Sequence, residues 1–258
     1  SYFDTIRHDI LFKQIAKRVN DQDIMRLVKL TVKAGGKRGI AQGGPASPLF
    51  SNIYLNEVDK MLEKAKKATN GDGYNHIEYA RWADDIVILI DSYPKWRWLE
   101  KAAYQRLQEE LGKLKVELNT EKTKIVDLEK GDTLDFLGFT FRGKRTKNGK
   151  YWAMKTPKKV AKNKLIKKLK EIFRSYQSQP ISKVIELINR VLKGWVNYFR
   201  IGNSAKGFER IKDWVYKKVR RHLMKARRWS GFGWKRWSRE WIYRTLGLYS
   251  DYKIRRYS

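Results

Sequence analysis

Apolar positions near the start of the chain recur every three to four residues. Ile10, Ile15, Val19, Ile24, Leu27, Val28 and Leu30 predict helix, with a break near residues 20–23. Ala34-Gly35-Gly36-Lys37 predicts a turn, and the Gly/Pro-rich run from Gln42 to Pro48 excludes regular structure. A helix is expected next, with Ser47 as N-cap and Pro48 at its first position. Its apolar stripe is Phe50, Ile53, Tyr54, Val58, Met61 and Leu62, and the polar stretch 68–75 follows as a loop.

Two β-branched runs come next, 77–82 and 86–90, around a pair of acids, and they predict strands. Leu99, Ala103, Leu107, Leu111 and Leu114 predict a helix over 98–115, and 116–126 reads as strand, turn, strand. Residues 134–141 and 151–154 are expected to pair across a loop that contains Asn148-Gly149, a strong hairpin signal. After Pro157 only helical periodicity remains. The stripes are Leu165, Leu169, Ile172, Phe173 and Tyr176, then Ile181 to Phe199 after Pro180, then Phe208, Ile211, Trp214, Val215 and Val219. The pattern is α+β up to about residue 154 and all-α beyond.

Charge sharpens that division. Residues 1–141 hold 23 Lys/Arg against 21 Asp/Glu, a net of +2, and residues 142–258 hold 35 against 6, a net of +29. Such a field on one half calls for a polyanionic partner. Seven of the ten tryptophans lie in that basic half, which argues against a disordered tail. The charge is spread over several segments, unlike one amphipathic membrane anchor. No apolar run is long enough to span a bilayer. The absence of cysteine excludes disulfides and thiolate metal sites and is compatible with a reducing cytosol.

Two constellations carry chemistry. Asp84 and Asp85 are neighbouring acids between two apolar strands, at the expected tip of a hairpin. Carboxylates this close repel unless a cation joins them, and Mg²⁺ suits such oxygen ligands together with substrate phosphates. An ordinary solvated turn explains the same residues. Gln42-Gly43-Gly44-Pro45-Ala46-Ser47-Pro48-Leu49 lets backbone approach a ligand and ends at a helix N-terminus that offers N–H groups to an anion. A plain capped helix start is the alternative.

In order along the chain, Gln42–Leu49, Ala83-Asp84-Asp85, Leu118-Asn119-Thr120-Glu121-Lys122-Thr123-Lys124 and Phe136-Leu137-Gly138-Phe139 resemble the palm motifs of reverse transcriptases, in the wording of bacterial group II intron proteins. Gly194-Trp195-Val196-Asn197-Tyr198-Phe199-Arg200 is similar to their maturase domain, which forms the thumb. The resemblance implies a palm with an antiparallel sheet and packed helices at 1–154. A basic helical thumb or maturase domain with a basic C-terminal extension follows at 155–258. It implies an RNA-directed DNA polymerase with a maturase role in intron splicing and mobility, with an inert RNA-binding splicing factor as the alternative.

Residue by residue, the resemblance implies a two-Mg²⁺ site with Asp84 and Asp85 as ligands and Lys122 near the triphosphate. Phe3 would crowd the sugar 2′ position. Gln42, Gly43, Pro45 and Ser47 would line the substrate site, and Phe136, Leu137, Gly138 and Phe139 would form the primer grip. A solvated lysine at 122, a core phenylalanine at 3 and a buried strand at 136–139 are the plainer readings. Trp82 stands where the family usually has tyrosine. The family's first metal-binding aspartate and its fingers fall ahead of Ser1, so the isolated chain is expected to be inactive as a polymerase.

Lys158, Lys159, Lys162, Lys217, Lys218, Arg220, Arg221, Arg227 and Arg228 are expected to lie on exposed helix faces and neutralise phosphates. Trp229, Trp234, Trp237 and Trp241 either stack on unpaired bases or fill a small core, with Trp241 placed in the core. The implied partners are intron RNA template, RNA/DNA primer duplex and dNTPs, with no membrane, and the implied setting is the bacterial cytoplasm, associated with nucleic acid.

Overall fold

A computed structural model describes residues 2–71 and 73–255. The protein is mixed helix and sheet, with small antiparallel sheets. It divides into two compact units, one up to Ile125 and one from Val126. The 133–157 sheet therefore belongs to the second unit, with the basic helices.

The first unit opens with α1 (Tyr2–Thr5), α2 (His8–Ala16) and α3 (Gln22–Lys33). Asp21 caps α3 by accepting from the Ile24 N–H at 2.9 Å. Next come α4 (Ser47–Tyr54), α5 (Asn56–Ala68), β1 (Asn70–Gly71), β2 (Tyr74–Asn75), β3 (Ile77–Trp82), β4 (Asp85–Ile90) and α6 (Trp98–Lys113). Their core holds Ile6, Leu11, Tyr54, Val58, Leu62 and Leu107 among others. The Tyr54 hydroxyl donates to the Leu114 carbonyl at 2.5 Å and accepts from the Arg7 N–H at 3.2 Å, tying α4 to the end of α6 and the start of α2.

The helix expected around residues 24–30 forms as α3, with its apolar face open, and two other expectations change. Ile24, Leu27 and Leu30 carry helical periodicity, yet each is about half exposed or more, and only Val32 of α3 is buried. Periodicity reports that a helix has an apolar face and not whether that face is covered. Ser47 is the first residue of α4 and not its cap. Its hydroxyl donates back to the Ala41 carbonyl at 2.6 Å and closes the preceding loop. Residues 116–126 contain no strand. Val116 and Leu118 pack on the core and the chain after them turns at Asn119.

The second unit begins with a meander, β5 (Thr133–Phe136), β6 (Phe139–Arg145) and β7 (Tyr151–Pro157), all antiparallel. The expected two-strand pair is thus three strands, because Leu137-Gly138 is itself a tight turn. Three long helices follow, α7 (Lys159–Ser175), α8 (Ile181–Phe199) and α9 (Ala205–Ala226). Leu165, Leu169, Ile188, Leu192, Val215, Val219 and Leu223 face one another at i, i+3 and i+4 spacing. Trp237 and Ile242 close this core from the chain beyond α9. Tyr176, at the cap of α7, is exposed instead of continuing its stripe.

His222 is buried against Phe173, and its Nε2 has no hydrogen-bond partner. Burial holds its pKa below the ordinary value. The unfolded chain therefore binds more protons than the folded chain as pH falls through about 6.5, and stability rises with pH across that window. Melting curves of the chain between about pH 5 and pH 7.5 should show lower stability on the acid side, and His222→Leu should flatten that dependence.

Candidate functional site

Strands β3 and β4 pair from Ile77↔Ile90 to Trp82↔Asp85, which leaves Ala83 and Asp84 as a two-residue turn. Ala83 has a φ of 53°, while Asp84 does not share the left-handed region, the pattern of a type II′ turn. Ala in that conformation costs on the order of 1 kcal/mol. What holds it is Arg81. Strand alternation points Tyr79, Arg81, Ile86 and Ile88 toward the helices. Asp85 shares the open face with Trp82, which is 67% exposed.

The Arg81 side chain is 9% exposed. Its Nε donates to Asp59 Oδ1 at 2.7 Å and its Nη2 to Asp59 Oδ2, a bidentate pair with α5. Its Nη1 donates to Asn52 Oδ1 at 3.1 Å and to the Ala83 carbonyl at 2.9 Å. One guanidinium thus ties the turn to two helices, and Asp59 holds its pKa up. Sequence reasoning missed Arg81, Asp59 and Asn52. The available signal was alternation, which places a charge at 81 on the inward face and so demands a carboxylate opposite it.

A groove of about 520 Å³ runs beside this turn, lined by Phe3, Gln42, Gly43, Gly44, Pro45, Ser47, Pro48 and Asp84. Six residues expected at one site (Phe3, Gln42, Gly43, Pro45, Ser47 and Asp84) come together there from three separate parts of the chain. The loop is held to α1 and the residue after it by backbone bonds, Ile40 N–H to Phe3 O at 3.0 Å and Gly39 N–H to Ile6 O at 2.9 Å. Gly39 has a φ of 81°, and a Cβ there would stand 2.9 Å from the Phe3 carbonyl oxygen, so only glycine fits. The Tyr2 hydroxyl, beside Phe3, is pushed up in pKa by burial first and then by neighbours that include Asp84, and it stays protonated.

Asp85 and Lys122 are not among the groove-lining residues. Asp85 adjoins Asp84 at the start of β4, and Lys122 sits on an exposed turn whose backbone N–H is held by Asn119. Among the described residues no cluster of three or more His, Asp or Glu forms a complete metal cage. The exposed Asp84 and Asp85 match the other way of binding a hard cation, in which one or two carboxylates share it with substrate oxygens.

In the second unit, the turn between β5 and β6 has positive φ at both Leu137 (47°) and Gly138 (76°), as in a type I′ turn. Its carbonyls are engaged. Leu137 O accepts from the Tyr198 hydroxyl at 2.9 Å, and Gly138 O from the Lys158 N–H at 2.8 Å. Phe139 packs on Tyr198 and Phe199. A leucine at a left-handed position is costly. Leu137→Asn should raise stability by about 0.5–1 kcal/mol in chemical denaturation, because Asn-Gly suits this turn.

The cationic positions differ among themselves. Lys159, Lys217, Arg221, Arg227 and Arg228 are exposed, and Lys158, Lys162 and Lys218 are half-buried. Lys158 pairs with Asp135 at 2.9 Å and Lys217 with Asp213 at 2.7 Å. Burial, then neighbouring cations, lower the Lys218 pKa. Arg220 departs from the expected exposed face and is 1% exposed. An i, i+4 step from Tyr216 puts it on the core-facing side of α9, under Trp234. Of the four tryptophans, Trp237 is buried and Trp241 packs on the core, whereas Trp229 and Trp234 stay about half exposed.

Residues 1–141 match the family model described as reverse transcriptase (RNA-dependent DNA polymerase), and residues 162–246 match the group II intron maturase-specific domain. Protein YkfC of Escherichia coli is 32% identical over 201 residues, 63% of this chain and 50% of that protein. The group II intron-encoded protein LtrA of Lactococcus lactis is 30% identical over 135 residues, 46% of this chain and 22% of LtrA. A putative COX1/OXI3 intron 1 protein of Saccharomyces cerevisiae is 22% identical over 84% of this chain and 31% of its own length. The chain thus spans half or less of the length of each of these relatives. Among the described residues no helix is long and apolar enough to cross a membrane. With the acid pair on its hairpin turn, the loop facing it across one groove, and both family models matched in order, the chain belongs to the reverse transcriptase family, in the group II intron-encoded kind that carries a maturase-specific domain.

Proposed function

We propose that the protein carrying this chain copies RNA into DNA and uses its basic helical unit to hold intron RNA for splicing and mobility. The observation that carries this reading is the shared groove of Phe3, the 42–48 loop and Asp84. In it the primer 3′-hydroxyl gives up its proton to solvent as its oxygen attacks the α-phosphorus of a deoxynucleoside triphosphate; the new P–O bond forms, the bond to the β-phosphate bridge breaks and pyrophosphate leaves. Asp84 and Asp85 would hold Mg²⁺ at the reacting phosphate, and the metal would supply charge stabilisation there.

This chain's own residues supply the rest. Arg81 orients the turn that presents Asp84. Gly43 leaves open space above the backbone, since a Cβ there would meet nothing within 4 Å, so the triphosphate can approach closely. At the start of α4 the Ser47 N–H is taken by the Gly44 carbonyl and Pro48 has none, so Leu49 would supply the backbone N–H toward the triphosphate charge. Phe3 presents an apolar edge to the sugar and so disfavours a 2′-hydroxyl. Lys122, on its exposed turn, would offset leaving-group charge after that turn moves toward bound substrate. The hairpin 136–139 would grip the primer end through its rigid Leu137-Gly138 turn. Lys158, Lys159, Lys162, Lys217, Lys218, Arg221, Arg227 and Arg228 would neutralise backbone phosphates.

Primer extension and intron splicing, measured on the same Asp84→Asn protein, test this assignment. Loss of extension with splicing retained supports a polymerase that also serves as a maturase. Extension at the wild-type rate rejects the metal site, and a wild-type protein that extends no primer yet promotes splicing establishes the inert splicing factor.

A further inference from the structure

The face of α9 that carries Lys217, Arg220 and Arg221 meets a returning loop, and together they enclose a pocket of about 260 Å³ completed by Phe232 and Trp234. The loop is built for this. Arg228, Gly231 and Gly233 all have left-handed φ, which turns the chain back along α9. A Cβ at Gly233 would stand 2.8 Å from the Trp237 ring, so that approach requires glycine. Trp237, buried in the core, anchors the loop from the other end.

Arg220 is the unusual member. Its guanidinium lies between the Trp234 ring, at 3.1 Å, and the Tyr216 ring, at 4.3 Å. Its Nε and Nη1 are buried with no hydrogen-bond partner. Asp213, a carboxylate that acts on it, is already engaged by Lys217 at 2.7 Å and Arg239 at 3.4 Å. No carboxylate pairs with Arg220 or Arg221 among the described residues. A buried guanidinium that lacks an anion, with a second arginine and a lysine at the same pocket, is a site whose missing partner is negative. Trp234 and Phe232 are both more than half exposed, so each offers a free ring face beside that charge.

From this we infer that the pocket binds one unpaired nucleotide of a single-stranded polynucleotide. The phosphate meets Arg221 and Arg220, and the base stacks on the open face of Trp234. Trp234 is the movable wall, and its displacement gives the phosphate access to the Arg220 guanidinium. This rests on the reading of the second unit as a nucleic-acid binder and adds a discrete stacking site to its diffuse charge. Bound phosphate would also relieve the cost that burial and the neighbouring cations Arg239 and Arg221 impose on Arg220, seen in its lowered pKa.

The test uses the full chain and single-stranded RNA and DNA of one sequence, roughly ten nucleotides long, with 5-iodouridine or 5-iododeoxyuridine at one position. Photocrosslinks are expected at Trp234 or Phe232. Trp234→Ala and Arg221→Gln should each weaken binding roughly 5- to 100-fold, and Trp234→Phe should restore most of the loss. Lys101→Ala, an equal change of charge on α6, serves as the control and should leave affinity near the wild-type value. Both variants change exposed residues, so folding is preserved even where Arg220→Gln fails to fold. Crosslinks with RNA alone, or with DNA alone, support the site and identify the strand it takes. Wild-type affinity in Trp234→Ala with crosslinks elsewhere overturns the site while leaving general nucleic-acid binding intact. If the chain binds neither polymer, both the site and the reading beneath it fail. Selective loss of Trp234→Ala binding to phosphatidylglycerol vesicles, with RNA binding unchanged, overturns the proposal in favour of a membrane contact.

Discussion

Asp84→Asn is expected to lower deoxynucleotide incorporation by roughly 10³-fold or more in the protein that carries this chain. A metal at a reacting phosphate supplies several kcal/mol of charge stabilisation, and each 1.36 kcal/mol is a factor of ten in rate. Asparagine is nearly the same size and suits a turn, so the fold should be unaffected, with stability within about 0.5 kcal/mol of wild type. Because Asp84 lines the groove and Asp85 does not, Asp85→Asn should cost less than Asp84→Asn. Steady-state extension rates at saturating Mg²⁺ and dNTP read both effects. An equal loss in the two variants would contradict the unequal placement of the two acids.

The largest effect on stability is expected at Asp59. Asp59→Ala leaves the nearly buried Arg81 guanidinium with only Asn52 and the Ala83 carbonyl, and it should destabilise the first unit by about 3 kcal/mol. An apolar pair in place of both charges, Asp59→Leu with Arg81→Met, should recover most of that loss, since removing both partners leaves no orphan charge. It should nonetheless lower incorporation, because replacing Arg81 takes the donor from the Ala83 carbonyl and the left-handed turn is no longer held. Urea denaturation together with extension kinetics separates the two quantities. Full activity in the double variant would show that Arg81 serves stability alone and does not position Asp84.

Much of this protein was legible from residue order. The helices at 98–113, 159–175, 181–199 and 205–226 follow from periodicity, and the 77–90 hairpin follows from two β-branched runs around a polar pair. The juxtaposition of Phe3, Gln42–Ser47 and Asp84 came from resemblance, since no local rule links residues some forty positions apart, and the groove brings them together. Other features depended on tertiary partners. The open face of Ile24, Leu27 and Leu30 has the same spacing as a buried one. Arg220 lies one turn beyond the buried Tyr216, but its cover by Trp234 depends on the fold of the 228–237 loop, which no local rule shows. Leu137 in a left-handed turn contradicts local preference and persists because Tyr198 and Lys158 engage that turn from outside it.

Under the proposed function, Asp84 and Asp85 hold a divalent cation in the groove beside the 42–48 loop. Replacing Mg²⁺ with Fe²⁺ in the primer–template–dNTP complex and adding ascorbate and peroxide would generate radicals that cut the nearest backbone. Cleavage at both 83–85 and 42–48, suppressed by excess Mg²⁺ and absent in Asp84→Asn, is the predicted result. Cuts confined to other segments, or an unchanged pattern in Asp84→Asn, would contradict it.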